Sequence, residues 1–299
     1  MKPPTPPEVA LRQTAQSALY DDVAEQTAGI IIHRYSTSFG LASRLLGKSV
    51  RRDVANIYAL VRLADEIVDG VASEAGADAA ETRRLLDELE AETERAMASG
   101  YSTNLVVHAF ALSARRTGIE PTLTQPFFAS MRADITEAVH TPESFDAYVY
   151  GSAEVVGLMC LRAFLKDVPV TPEQDARFVH GARKLGAAFQ KVNFLRDLSS
   201  DVDALGRSYF PGVNIATFTE ADKARLVADI DADLAISGAI VPELPSSSRR
   251  AVALAQNLFA ALNRRIERTP AAELKQTRVS VPTMVKARLA LVALMGHTS

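Results

Sequence analysis

The run QKVNFLRDLSSD, Gln190 to Asp201, decides how this chain is read. On a helix, Gln190, Asn193, Asp197 and Asp201 follow one another by three, four and four residues and fall within about 80° of one face. Two carboxylates and two side-chain amides then point the same way. Like charges four apart weaken a helix by a few tenths of a kcal/mol, so this row calls for positive charge from elsewhere.

A second run makes the same demand. In IYALVRLADEIVDG, Ile57 to Gly70, the row Tyr58, Arg62, Asp65 and Asp69 lies within about 60° of one helical face. Ile57, Leu60, Val61, Ala64 and Val68 form an adjoining apolar stripe that docks this helix in a core and leaves the aspartates at its rim. A lone D-x-x-x-D pair is usually a solvated surface. Two such pairs, each with further polar residues on its row and apolar residues beside it, suit a hard divalent cation shared with phosphate oxygens. Spacing alone leaves two readings open, a metal-diphosphate site and an ion-paired core.

The 299 residues carry a net charge of -3 with mixed signs, which argues against a nucleic-acid binder and its basic patch. Cys160 is the single cysteine, so neither an intramolecular disulfide nor a thiolate zinc cluster is available, and its neighbours Leu158, Met159 and Leu161 predict a packed core thiol. The five histidines show no ligand spacing. The proline-rich start, MKPPTPPEVALRQ, lacks the apolar segment of a secretory signal. It predicts a disordered tail over residues 1–19, ahead of a single all-α domain over 20–299. No apolar run reaches the roughly 18 residues that cross a bilayer; the longest near the C-terminus, Leu289 to Gly296, is too short. These features predict a cytoplasmic protein that can lie against the cytoplasmic membrane face.

From Tyr20 onward the hydrophobic period is that of helices and no strand pattern is convincing. A first helix is expected over Asp22 to Ile32, ending before HRYSTSFG, where Ser36, Thr37 and Ser38 suit a loop or helix start. Arg51 to Val68 comes next, closed by Gly70, and then a solvated helix over Glu81 to Ala98. Thr122 with Gln125 looks like a capping box, and Thr141-Pro142 and Thr171-Pro172-Glu173-Gln174 are strong helix starts. In YVYGSAEVVGLMCL, Tyr148 to Leu161, the small residues Gly151, Ser152, Ala153 and Gly157 fit either close helix packing or a ligand that needs room. Later helices are expected at about Glu220 to Ser237, Ser247 to Arg268 and from Pro282.

Taken in order, STSFGLASRLL, IYALVRLADEIVDG, YVYGSAEVVGLM, QKVNFLRDLSSD and GRSYFP resemble the squalene/phytoene synthase family of head-to-head prenyl transferases, from about residue 30 to 290. DEIVDG and RVSVP, Arg278 to Pro282, look most like phytoene synthases of bacteria and plants. The resemblance implies an all-α isoprenoid synthase bundle around a central cavity. It implies that Asp65, Asp69, Asp197 and Asp201, with Gln190 and Asn193, hold Mg2+ or Mn2+ against substrate diphosphates. Ser36, Ser38, Tyr58, Arg62, Arg196, Arg207, Tyr209, Arg278 and Lys286 match positions at the diphosphate or its entrance. Phe39, Tyr148, Ala153 and Gly157 match the hydrocarbon channel.

The chain departs from the family pattern at Glu154, where Gly is usual, at Ser200, where an acid is usual, and at Phe259, where some relatives have Tyr. Squalene formation would need a nicotinamide cofactor, and a product formed without reduction is expected instead. Small residues at Ser43 and Ala55, where users of C15 substrates can place bulky aromatics, favour two molecules of geranylgeranyl diphosphate over farnesyl diphosphate. The rival of another class is a non-catalytic assembly or interaction protein of the same fold. Such relatives would be expected to lose acidic-row residues, and all four aspartates are present.

Overall fold

The computed structural model describes residues 15–36, 38–136, 139–198 and 209–294. Among them every regular element is helical. The helices are α1 (Ala15–Tyr35), α2 (Ser38–Ser43), α3 (Lys48–Val68), α4 (Val71–Glu74), α5 (Ala79–Ser99), α6 (Leu105–Thr117) and α7 (Pro121–Thr136). Then come α8 (Pro142–Val149), α9 (Val155–Leu165), α10 (Pro172–Arg196), α11 (Glu220–Ile240), α12 (Ser246–Arg268), α13 (Ala271–Leu274) and α14 (Thr283–Leu294). A π-helical turn, Tyr150–Glu154, joins α8 to α9 without a break.

Local sequence explains the punctuation. Thr141 and Thr171 each cap a helix through a capping box, closed by Ser144 and Gln174, with proline in the first turn. Asp78, Asn104 and Thr219 cap α5, α6 and α11 with their side chains. Gly100 and Gly118 end α5 and α6 in the left-handed conformation that glycine adopts without penalty. Thr122 is not a cap: α7 begins at Pro121 and takes Thr122 into its first turn. Helix α1 starts at Ala15, inside the stretch expected to be tail, and residues 1–14 lie outside those described.

One core gathers Phe110, Phe127 and Phe128 with Ile57, Leu60 and Ala64 of α3. A second gathers α8, α10, α11 and α12 around Phe194, Leu195 and Ile230. Between them lies a cavity of about 550 Å3 walled by α2, α3, the π-turn and helices α9 to α12. The continuous helix Pro142–Leu165 is, against expectation, long and apolar enough to cross a membrane by length and composition. The Gly and Ser of the π-turn break up the apolar run in the sequence and hide it there. In the fold it packs against α3, α7 and α10 as a central element.

Candidate active site

Helices α3 and α10 each end on an acidic residue. Asp69 takes the C-cap of α3, its N–H donating to Asp65 O at 2.8 Å, and Asp197 takes the C-cap of α10, its N–H donating to Asn193 O at 2.9 Å. A helix C-terminus carries about half a negative charge. Carboxylates placed there add to that charge, so both helix ends favour cations.

Arginines supply part of the compensation. Arg278 Nε donates to Asp197 Oδ1 at 2.7 Å, and Arg196 Nε donates to the same carboxylate at 3.0 and 3.1 Å. Arg62 pairs with Glu66 at 2.7 Å and lies 4.6 Å over the Tyr35 ring. Asp65 is different: burial, and then the neighbouring charge of Asp69, push its carboxyl up to about 7. Asp134 of α7 and Glu66 add to that repulsion. Asp134 is a further acid at the α3 row that spacing could not reveal, since it lies on a helix distant in sequence. It is buried and accepts the Tyr148 hydroxyl at 2.7 Å.

The two rows border one cavity. Tyr58 and Arg62 line it from α3, Gln190, Asn193 and Arg196 from α10, and Arg278 from the segment before α14. Asp65, Asp69 and Asp197 are not in this lining and follow it toward the C-terminal ends of α3 and α10. Ser36 also lines the cavity; its Oγ accepts the Gly40 N–H at 3.1 Å and is hydrogen-bonded to Tyr58. Phe39, Ala153 and Gly157 line it as expected of a channel, with Phe39 stacked on Tyr58 at 5.7 Å.

Several expected residues stand away from this lining. Tyr148 does not line the cavity: its ring packs among His140, Phe194 and Tyr209 while its hydroxyl turns to α7. Tyr209 stacks on Phe194 at 4.0 Å and likewise is not in the lining, and neither is Lys286. Ser43 lines the cavity, but Ala55 is buried outside the lining, where the neighbouring Val54 takes its place. Asp201, Arg207, Ser200 and the Ser38 side chain lie outside the described residues.

Glu154 points out of the channel, to Arg183 Nε at 2.6 Å, and Arg183 in turn covers the Tyr150 ring. Close packing accounts for the glycines. A Cβ on Gly157 would stand 2.7 Å from Ala182 O, and one on Gly186 would stand 2.5 Å from Ala153 O. Phe259 lines the cavity and stacks on Phe189 at 3.7 Å. Cys160 is packed in the cavity wall, and burial pushes its thiol up to about 12.

Among the described residues, no three His, Cys, Asp or Glu side chains are grouped so as to hold a metal by themselves. The donors nevertheless fit a hard cation that shares its sites with a ligand's phosphate oxygens. They are carboxylates at two negative helix ends, and the Asn193 Oδ1 atom is buried with no partner.

Residues 32–285 match the squalene/phytoene synthase family. The chain belongs to that family. Relatives include a phytoene synthase of Pseudescherichia vulneris, 33% identical over 59% of this chain and 56% of its own length. The chain is also 27% identical to a 15-cis-phytoene synthase of Pantoea ananas over 86% of this chain and 87% of that one. With the first of these the match spans little more than half of the relative. In fold, the chain is similar to the crystal structure of a dehydrosqualene synthase in complex with ligand. The TM-score is 0.74 at 22% identity, over 93% of this chain and 98% of that one. The isoprenoid synthase bundle expected from the sequence is therefore the fold observed.

Proposed function

We propose that the protein is a phytoene synthase, a prenyltransferase joining two geranylgeranyl diphosphates head to head through a cyclopropyl diphosphate. The observation that carries this reading is the polarity of the cavity. Arg196 and Arg278 meet at Asp197, Arg62 joins them in the lining from α3, and Phe39, Leu161, Phe164 and Leu244 supply apolar wall. A chain with an anionic head and a long hydrocarbon tail matches both parts.

Arginine forks hold diphosphate oxygens in pairs, and Arg196 and Arg278 already meet at Asp197. Asp65, Asp69, Asn193, Asp197 and Asp201 would hold Mg2+ or Mn2+. Bound there, the ion would supply positive charge to neutralise the leaving diphosphate and help its carbon-oxygen bond ionise. The apolar wall excludes water that would quench an allylic cation, and the stacked Phe39 and Tyr58 rings present faces that stabilise positive charge. The double bond of the second substrate attacks, a proton is lost as the cyclopropane closes, and departure of the second diphosphate leads through rearrangement and proton loss to a conjugated triene. This overall change needs no reductant, so no nicotinamide cofactor is required.

The small Ser43 in the cavity wall supports the C20 substrate over farnesyl diphosphate. Incubating the purified protein and Mg2+ with each diphosphate tests this: C40 product from the C20 substrate supports it, and C30 product alone overturns it. An interaction protein of the same fold would keep its function in Asp65→Ala, whereas the enzyme would lose nearly all turnover while staying folded. Phytoene is insoluble in water, so we place the protein in the cytoplasm in peripheral contact with lipid. Met284, Leu291 and Leu294, exposed on α14 beside Arg288, are the candidate contacts. Full activity with no sedimentation on lipid vesicles would contradict that placement.

A further inference from the structure

Ser152 has no role in the mechanism above, yet its surroundings ask for a ligand. It lies in the π-turn, lines the cavity, and has an Oγ that is buried with no hydrogen-bond partner. A buried hydroxyl gives up its water partners, and without a replacement that loss is uncompensated.

Serines within helices can satisfy themselves on the carbonyl one turn back. For Ser152 that carbonyl belongs to Tyr148, and it accepts from Ser130 Oγ of α7 at 3.1 Å instead. Gly151 makes this possible. A Cβ at Gly151 would stand 2.1 Å from Ser130 Oγ and 2.2 Å from Pro126 O, so the bare glycine lets α7 press onto the turn.

The depth of Ser152 in the cavity is set by the packing of the π-turn and α9 on α10. Gly157 sits against Ala182, and Ala153 sits against Gly186. In that antiparallel register Ser152 falls between the levels of Gly186 and Gln190. On its deeper side the lining continues through Val156, Cys160 and Phe164; on the other, Gln190, Asn193 and Arg196 bring polar groups. Ser152 thus stands where the polar end of the cavity gives way to its apolar body, and further toward that end the lining carries a second orphaned polar atom, Asn193 Oδ1.

A prenyl diphosphate carries hydrogen-bond acceptors only at its head. We propose that the Ser152 hydroxyl donates to a diphosphate oxygen of a bound prenyl diphosphate and sets how deeply that head sits. Ser152 is then a substrate-contacting residue that reads the head and is indifferent to tail length. The inference rests on the prenyl diphosphate reading above.

Unreactive S-thiolodiphosphate analogues of the C15 and C20 substrates, titrated calorimetrically into the full chain with Mg2+, test it. Ser152→Ala is expected to weaken both analogues by about 10-fold, as for loss of a hydrogen bond to a charged group. The factor should be the same for the two tails, with an unchanged melting temperature, and Ser152→Thr, which keeps the hydroxyl, should bind within about threefold of wild type. Wild-type binding with Ser152→Ala unchanged overturns the Ser152 contact alone. Equal losses in the Ala and Thr variants would mark the site as steric and also overturn it. Wild-type protein that binds neither analogue overturns this inference together with the substrate reading beneath it.

Discussion

The Arg278 guanidinium donates to the Asp197 carboxylate across 2.7 Å, and Arg278 also lines the cavity. One residue thereby ties the acidic end of α10 to the polar mouth of the hollow. Arg278 is mostly exposed, at 64%, so the pair contributes little to folding. Under the proposed function its role is to hold an anion. Arg278→Ala is expected to reduce kcat/KM by about 10- to 100-fold, as for a lost charge-assisted hydrogen bond, with a nearly unchanged melting temperature. Steady-state kinetics and thermal melts on the same preparation check both halves.

Asp65 makes the metal-free protein sensitive to pH. Its folded-state carboxyl lies at about 7 against an ordinary value of 3.8, so the folded state binds the proton more tightly. The stability this contributes is fully present below the unfolded value and is lost as pH rises through about 7. Asp65→Asn abolishes that slope. Melting curves in chelator between pH 4 and 8 should show wild type losing stability relative to the Asn variant, and parallel curves would contradict the assignment.

Asp53 behaves in the opposite sense. It is wholly buried, and although burial alone would raise its carboxyl, hydrogen bonds from Lys166 Nζ at 2.8 Å, Arg116 at 2.7 Å and Ser113 at 2.9 Å leave it below the usual range. The stability it contributes is present above the unfolded value of 3.8 and is lost as pH falls through the lower folded value. Asp53→Ala leaves Lys166 with Ser49 and Arg116 with Glu25 as remaining partners, and should cost about 1–3 kcal/mol for the lost charge-assisted hydrogen bonds. Urea denaturation measures this.

Close contact between the π-turn and α10 depends on Gly186, whose added Cβ would meet Ala153 O at 2.5 Å. The obstacle is backbone, which cannot swing aside. Gly186→Ala should therefore destabilise by about 1–3 kcal/mol through overpacking and widen the wall that Ala153 lines. Denaturation together with product analysis reads out both effects.

Glu154 gives the contrasting case. Because its carboxylate faces Arg183 rather than the channel, Glu154→Ala should keep turnover within about threefold and cost about 1 kcal/mol, as for an ion pair whose arginine is half exposed. A collapse in turnover would place this carboxylate in the chemistry.

Much of the fold and site is legible in the residues. The apolar stripe Ile57, Leu60 and Ala64 is buried as its spacing requires, and the rows of α3 and α10 border one cavity. Tyr148 departs from its expected place for a definite reason. Its ring packs among His140, Phe194 and Tyr209 while its hydroxyl donates to Asp134 of α7, and these partners come from segments that the spacing within Tyr148 to Leu161 does not report. Asp134 and Ser130 are invisible to spacing because their partners lie on a separate helix. The error at Ala55 is smaller: one residue away along α3, Val54 holds the wall expected of Ala55.

Helices α3 and α10 carry their acids and arginines to the border of one cavity, the proposed prenyl diphosphate site. Purified protein incubated with Mg2+ and geranylgeranyl diphosphate, with chromatography of the extract and assay of released diphosphate, tests it most directly. The expected result is a C40 hydrocarbon with two diphosphates released per molecule, abolished in Asp65→Ala and Asp197→Ala. Absence of any condensed product from either the C20 or the C15 diphosphate, in protein shown to be folded, would contradict it.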